Sequence, residues 1–234
     1  DELVIESVIK PEDMAKLNDE ANDVVQKIND TDSSQVDAIL EQLNNFGGNE
    51  QRLAGESLNS LRRPVKDMMD NDDSHGIPDN LLKLREAVNE LNPNSLEAKG
   101  LAKIMPKFMR RKSTDKYVAK YQSVEKNIDE IVQSLLRGRD MLQEDNAELE
   151  VIKKDVHDKI YLLEKQIFMG KNLFQMIEDK RNEPDWQGKT QIVNEAQEKI
   201  IVRTKNMSSM VNVLQQSLAS VDIIKKNNDK LKEA

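Results

Sequence analysis

The stretch from Tyr121 to Glu150, YQSVEKNIDEIVQSLLRGRDMLQEDNAELE, decides the fold of this chain. Within and beyond it, one column recurs every seven positions: Tyr121, Ile128, Leu135, Leu142, Leu149, Val156, Leu163, Gly170 and Ile177. A partial second column contains Val124, Ile131, Ile152 and Leu173, and it is interrupted by Gly138, Asp145, Lys159 and Gln166. A sustained seven-residue period is typical of a coiled-coil seam. The sequence therefore predicts one long helix, which Ser113 can cap and which meets no proline before Pro184.

A second long helix is predicted after the polar break Glu183-Pro184-Asp185. It extends to about Lys232, and its apolar residues also recur at seven: Val193, Ile200, Met207, Leu214 and Val221. Two long stripes joined by a short break predict an antiparallel hairpin with its tip near residues 182–187. With equal rise on both arms, residues whose numbers add up to about 368 lie opposite each other.

This pairing leaves one apolar stripe without a partner from the final helix. The stripe consists of Val118, Tyr121, Val124, Ile128 and Ile131. Either the short N-terminal helices cover it or the natural chain continues past Ala234, and we expect both.

The N-terminal half is predicted to form several short helices. Pro11 begins the first, Gly47-Gly48 ends the second, and Pro64 is expected to kink the third or end it at Arg63. Pro78 begins a fourth helix, and a short fifth follows Asn94. The predicted fold is all-α, with a bundle of short helices in residues 1–112 packed at the base of a coiled-coil hairpin in residues 113–234.

Composition excludes several classes of function. The net charge of −8 argues against general nucleic-acid binding. The absence of cysteine excludes thiolate metal sites and cysteine nucleophiles.

His75 and His157 lack neighbours at metal-ligand spacing, so we expect structural or solvated roles for both. Carboxylates alternate with Lys and Arg along helices, where no pocket would shift their pKa values. We therefore expect no catalytic residue, no metal, no cofactor and no enzymatic activity.

One basic segment is a candidate contact surface. Between Lys103 and Lys120 the only acid is Asp115, and Ile104, Met105, Phe108 and Met109 interleave with the basic residues. The candidate contact residues for a protein partner, an anionic membrane or a small anion are Lys107, Arg110, Arg111, Lys112 and Lys116. The alternative is a solvated junction whose Met and Phe side chains fill the core.

Four blocks of this sequence resemble the toxic anion resistance family, also called the TelA or tellurite-resistance family. Besides Tyr121 to Glu150, they are QQSLASVDIIKKNNDKL (215–231), LNNFGGNEQRLAGESLNSLRRPV (43–65) and LREAVNELNP (84–93). The resemblance implies an intracellular bacterial protein linked to resistance to tellurite and to cell-envelope antimicrobials, and it brings no catalytic motif. It also implies a natural chain truncated here at both ends, since family members continue beyond the KKNND-like block.

These observations lead to an expected function by binding. Tellurite is usually detoxified by thiols, which this chain lacks, so resistance would be indirect. We expect a helical scaffold that engages other proteins, or itself, through the hairpin, in the cytoplasm or at the inner face of the membrane. The alternatives are a module that binds the anionic membrane surface through the basic segment, and an oxyanion site formed by Arg62-Arg63 and Arg110-Arg111.

Overall fold

The computed structural model describes residues 9–32, 34–70, 74–90 and 107–234, without the side chains of residues 69–70, 107–118 and 120. Every regular element in these ranges is helical, which confirms the predicted all-α class. The α-helices are α1 (Pro11–Asp30), α2 (Val36–Asn45), α3 (Gly48–Asp70), α4 (Ile77–Glu90), α5 (Lys107–Lys180) and α6 (Thr190–Glu233). Short 3₁₀ turns lie at Ser74–Gly76 and Pro184–Trp186.

The described residues form two compact units. The first comprises the described residues between 9 and 64 and between 150 and 222, and the second comprises those between 65 and 149 and between 223 and 234. Each unit thus combines part of the N-terminal half with part of α5 and α6. The predicted division at residues 112 and 113 follows the order of elements along the chain and stays a prediction.

Helices α5 and α6 pair in antiparallel orientation, in a register different from the predicted one. In the first unit Lys153 Nζ lies 2.6 Å from Asp222 Oδ1, and Gln197 Nε2 donates to Glu178 Oε2 at 2.8 Å. Both pairs of residue numbers add up to 375, so the expected value of about 368 was wrong by one heptad. The 3₁₀ turn Pro184–Trp186 lies between the arms, and the midpoint of pairs that add up to 375 falls at residues 187–188, at the end of the predicted tip of 182–187.

A polar pair inside the seam fixes the register in the second unit. Asn228 Nδ2 donates to Asn146 Oδ1 at 2.9 Å, and both side chains belong to residues that are 8% exposed. Asn146 Nδ2 in turn donates to Asp229 Oδ1 at 2.9 Å. A buried amide that slides past its partner leaves polar groups unsatisfied, so such a pair selects one register over its neighbours.

In the first unit α1 and α2 pack against the part of the hairpin closest to its turn. One face of α1 is buried there, with Leu17, Ala21, Val24 and Ile28 in one cluster with Leu173, Ile177, Trp186 and Val193. Lys189 Nζ donates to the carbonyls of Ile28, at 3.3 Å, and of Asn29 at the end of α1. Cations at the carbonyl end of a helix stabilise it. These helices therefore lie beside the turn, whereas the sequence analysis placed all short helices at the base.

Glycines allow the junction between α2 and α3 to approach the hairpin. Gly47 has φ +70°, and a Cβ there would contact the thioether of Met207. A Cβ at Gly170 would come within 2.9 Å of Phe46 Cζ. Arg203 Nε donates to the carbonyl of Phe46 at 3.0 Å, just after the end of α2. Close approach and capping together hold the start of α3 against α6.

Helix α3 continues through Pro64 to Asp70. The predicted alternative in which this helix ends at Arg63 is therefore wrong. Ala54, Ser57 and Leu61 are buried on its inner face. The Ser57 hydroxyl donates to the carboxylate of Asp155 on α5.

In the second unit α4 covers part of the stripe for which the sequence analysis sought a partner. Ala87 is buried with Val124 and Ile131, and Leu84 packs against the same cluster. This confirms that a short N-terminal helix covers part of the stripe. Leu91 and the predicted fifth helix after Asn94 lie outside the described residues.

The Ser57–Asp155 hydrogen bond gives the first prediction. This bond and Lys159 hold the pKa of Asp155 below its ordinary value, although burial raises it. A depressed folded-state pKa stabilises the fold above the unfolded-state pKa of about 3.9, and this contribution is lost as the pH falls through the folded-state pKa. Ser57→Ala should lower the free energy of unfolding by roughly 1 kcal/mol at pH 7, and this difference should narrow below about pH 4.

Urea unfolding of wild type and variant at pH 7, 5 and 3 measures this difference. Ser217→Ala is the matched control, because the Ser217 hydroxyl bonds only the carbonyl of Val213 on the surface of its own helix. A difference that stays constant from pH 7 to pH 3 would contradict the role assigned to the Asp155 charge.

Candidate functional site

Residues 107–120 of the basic segment predicted as a contact surface form the first turns of α5, and Lys103, Ile104 and Met105 lie outside the described residues. The helix begins at Lys107, so Arg110, Arg111, Lys112 and Lys116 lie on one continuous helical backbone. The structure does not describe the side chains of these residues. At about 100° per residue, Lys107, Arg110 and Arg111 share one side of the helix, and Lys112 and Lys116 lie on the opposite side. The helix thus groups three of the five candidates, whose contact role stays a prediction.

Further along α5, a row of apolar residues remains uncovered in the second unit. Tyr121, Val132 and Leu136 are 46%, 36% and 38% exposed, and Ile128 and Leu135 beside them are half-buried. We call these five residues the open face of α5. They recur at spacings of three, four and seven, so they lie along one side of the helix. The open face adjoins the Val124 and Ile131 side that α4 covers.

Two acidic residues lie on the same side of α5 as the open face. Glu125 and Asp129 are exposed, and helical periodicity places them between Tyr121 and Val132. The open face is therefore apolar with anionic groups at its edge, and the basic turns of α5 precede it.

The position of α4 beside the open face depends on a contact that the sequence analysis missed. His75 Nε2 lies 2.7 Å from Asp145 Oδ2 on α5, and both side chains are mostly buried. Ser74 and His75 adopt φ values of +39° and +58°, which turn the chain into α4. Gly138 allows this approach, because a Cβ there would come within 2.8 Å of Ile77 Cγ1 and 3.0 Å of the His75 carbonyl. The other histidine, His157, is exposed on α5.

In the first unit a cavity of about 560 Å³ lies between the α1–α2 connection and the start of α6. Its apolar lining comes from Val36, Leu40 and Ile192, and its acids are Asp32, Asp37 and Glu195. Hydrogen bonds from the Ser34 hydroxyl and backbone N–H lower the pKa of Asp32. The one basic group of the lining, Lys189, already bonds the α1 carbonyls. Its negative lining makes this cavity unsuited to an oxyanion.

Within residues 9–32, 34–70, 74–90 and 107–234, no group of three or more His, Asp or Glu side chains is arranged to hold a metal ion. In the same part of the chain, no helix is both long enough and apolar enough to cross a membrane.

A comparison with protein-family models matches residues 21–234 to the toxic anion resistance protein TelA. The chain belongs to the TelA family. This confirms the resemblance drawn from the four sequence blocks. Comparisons of this TelA-family chain with curated proteins and with solved structures found no match.

Some of these features of the TelA-family chain could be predicted from the sequence, and others could not. The basic segment and the apolar repeat were both visible as patterns. Gly138 appeared only as an interruption of the second column, although it marks the place where the Ser74–Gly76 turn meets α5. The His75–Asp145 contact joins residues 70 positions apart, and no local pattern connects them.

The His75–Asp145 contact gives the second prediction. His75→Ala should lower the free energy of opening α4 from α5 by about 1 kcal/mol. Amide exchange in residues 77–90 should therefore become roughly fivefold faster. Hydrogen exchange followed by mass spectrometry measures this change. His157→Ala is the control, since it removes an exposed imidazole from the same long helix. Equal exchange in α4 of both variants would show that the contact does not hold α4.

Proposed function

We propose that this chain is a non-enzymatic helical scaffold that contributes to toxic anion resistance by binding protein partners. Membership of the TelA family indicates the role in toxic anion resistance. The observation that carries the finer proposal is the open face of α5, where apolar side chains lie exposed beside a packed helix pair.

The spacing of the open face supports recognition by another helix. Helical partners are commonly recognised through apolar residues at spacings of three, four and seven, which are the spacings among Ile128, Val132 and Leu135. Covering these side chains removes apolar surface from water at about 25 cal/mol per Å². The acids at the edge would then select the partner by charge.

The proposed mechanism of resistance is indirect. The chain contains no cysteine, so its own side chains offer no thiol that could reduce or capture tellurite. The acidic cavity of the first unit does not favour direct capture of an oxyanion either. We place the protein in the cytoplasm, where it would hold together partners that protect the cell envelope.

A cell assay tests the scaffold proposal. In a bacterial strain that lacks the gene, wild type should restore growth on tellurite. The Val132→Glu, Leu136→Glu double variant should restore growth at least about tenfold less well, because burying two unpaired charges in an apolar interface costs several kcal/mol.

Val151→Glu with Ile223→Glu is the matched control. These residues are exposed apolar side chains elsewhere on α5 and α6, and their replacement should leave resistance unchanged. Circular dichroism and immunoblots establish that all variants fold and accumulate alike. Full resistance with the open-face variant would reject the scaffold proposal.

A second candidate is binding to an anionic membrane surface. The observation that favours it is the grouping of Lys107, Arg110 and Arg111 on one side of the first turns of α5. Basic residues near an anionic bilayer each contribute about 1 kcal/mol, and salt screens this attraction.

Vesicle sedimentation tests this candidate. Vesicles with an anionic phospholipid should bind wild type at low salt and release it at high salt. Replacing Lys107, Arg110 and Arg111 together by Glu should abolish binding, whereas neutral vesicles serve as the control surface. No binding of wild type to anionic vesicles at low salt would dismiss the candidate.

A further inference from the structure

We infer that the cavity of the first unit is a docking site for a basic peptide segment, in which apolar side chains lie next to Lys or Arg. We call this cavity the acidic cleft, and its lining comes from the α1–α2 connection, the first turns of α2 and the start of α6. This site goes beyond the proposed scaffold function, because the open face of α5 belongs to the second unit.

The acidic cleft has an apolar floor and a charged rim. Leu40 and Ile192 are 7% and 8% exposed, so they lie at its bottom. Asp32 and Asp37 are exposed at its mouth, and the half-buried Glu195 adds a third carboxylate. Binding sites commonly combine a largely apolar cavity of roughly 300–1,000 Å³ with a few polar groups at fixed positions. The acidic cleft, with about 560 Å³, has both properties.

The three carboxylates of the rim carry charges that no neighbouring cation neutralises. Asp32 accepts hydrogen bonds from the backbone N–H and the hydroxyl of Ser34, which are neutral donors. Glu195 accepts one from Gln191 Nε2 at 3.0 Å, which is also neutral. Among the residues that the structure describes, no Lys or Arg forms an ion pair with Asp32, Asp37 or Glu195. The rim therefore keeps its negative charge.

Local structural roles explain these acids only in part. Asp37 lies in the first turn of α2, where an acid stabilises the helix dipole, and Asp32 shapes the turn before it. Neither role removes the charge from the cleft. Lys189, the base of the lining, donates to the α1 carbonyls instead of to a carboxylate of the rim. The cleft therefore attracts cations and repels anions.

A basic peptide segment matches both parts of the cleft. Lys and Arg carry an apolar stem below a cationic head. The stem and an apolar neighbour in the peptide would cover Leu40 and Ile192, and the head would reach the carboxylates of the rim. A bare metal ion matches less well, because the Asp, Glu and His side chains of the described ranges form no cluster of three that could hold one.

The first experiment measures binding of short fluorescent peptides to the purified chain by anisotropy. A peptide with Lys and Leu in equal numbers should bind with a micromolar Kd, and more weakly at high salt. A peptide with Ser in place of every Leu should bind at least about tenfold more weakly, because it cannot cover the apolar floor. No binding of the Lys and Leu peptide, or equal binding of the Leu and Ser peptides, would overturn the inference.

The second experiment removes charge from the rim at constant side-chain size. Asp37→Asn with Glu195→Gln should raise the Kd of the Lys and Leu peptide about fivefold or more. The matched control is Asp19→Asn with Glu20→Gln, which removes the same charge from exposed positions of α1 outside the cleft and should change the Kd little. Equal effects of the two double variants would show attraction by net charge alone and would overturn the site.

The third experiment fills the cleft without changing its charge. Gly188 lines the cleft, and a Cβ there would meet no atom within 4 Å. Gly188→Trp should therefore fold like wild type and raise the Kd of the Lys and Leu peptide at least about fivefold, because the indole takes up space that the peptide would fill. Binding of this peptide with wild-type affinity would reject docking in the cleft.

One further variant separates this site from the scaffold proposal. Val132→Glu with Leu136→Glu alters the open face and should leave the Kd of the Lys and Leu peptide unchanged. Loss of the peptide in this variant would assign its binding to the open face and overturn the inference. Resistance that depends on the open face, in a chain that binds no peptide, would leave the scaffold proposal in place without the acidic cleft.

Discussion

The antiparallel seam between α5 and α6 is the constraint on which the rest of the structure depends. A seam made of apolar side chains alone would tolerate a shift by one heptad, because each layer then meets a similar layer. The Asn146–Asn228 pair in the second unit and the Lys153–Asp222 pair in the first unit make such a shift costly. The packing of α1 and of the α2–α3 junction presupposes this register, because both contact particular residues of α5 and of α6.

The basic residues at and near the start of α6 show how the seam organises the N-terminal helices. Lys189 and Arg203 bond carbonyls at or just beyond the ends of α1 and α2, where the helix dipole is negative. Lys189 thus holds the end of α1 against the hairpin, and Arg203 holds the end of α2. The hairpin therefore acts as a template, on which short helices with little stability of their own are held by capping and burial.

The sequence predicted the helices well and the contacts between them poorly. The heptad column identified α5 and Pro11 marked the start of α1, because helical periodicity and helix starts are local properties of the sequence. The register failed because it assumed a bend centred on Pro184, whereas the 3₁₀ turn packed by Trp186, which is 2% exposed, lies before the midpoint at residues 187–188. Pro64 did not end α3: Leu61 before it is buried, Val65 and Met68 after it are half-buried, and this packing outweighs the loss of one backbone hydrogen bond. The predicted unpaired stripe shares only Tyr121 and Ile128 with the open face. Which residues of the stripe α4 covers depends on His75, Asp145 and Gly138, which only the folded chain brings together.

The close approach of the Ser74–Gly76 turn to Gly138 and the fixed register of the α5–α6 seam limit how the lengths of such proteins can change in evolution. An insertion in one arm of the hairpin displaces all contacts beyond it, unless the other arm gains the same number of residues. Insertions of seven in both arms would restore the seam but would still move Gly138 away from the turn at Ser74–Gly76. Length differences among relatives are therefore expected to collect in the connections between helices, and the two long arms are expected to keep their residue counts.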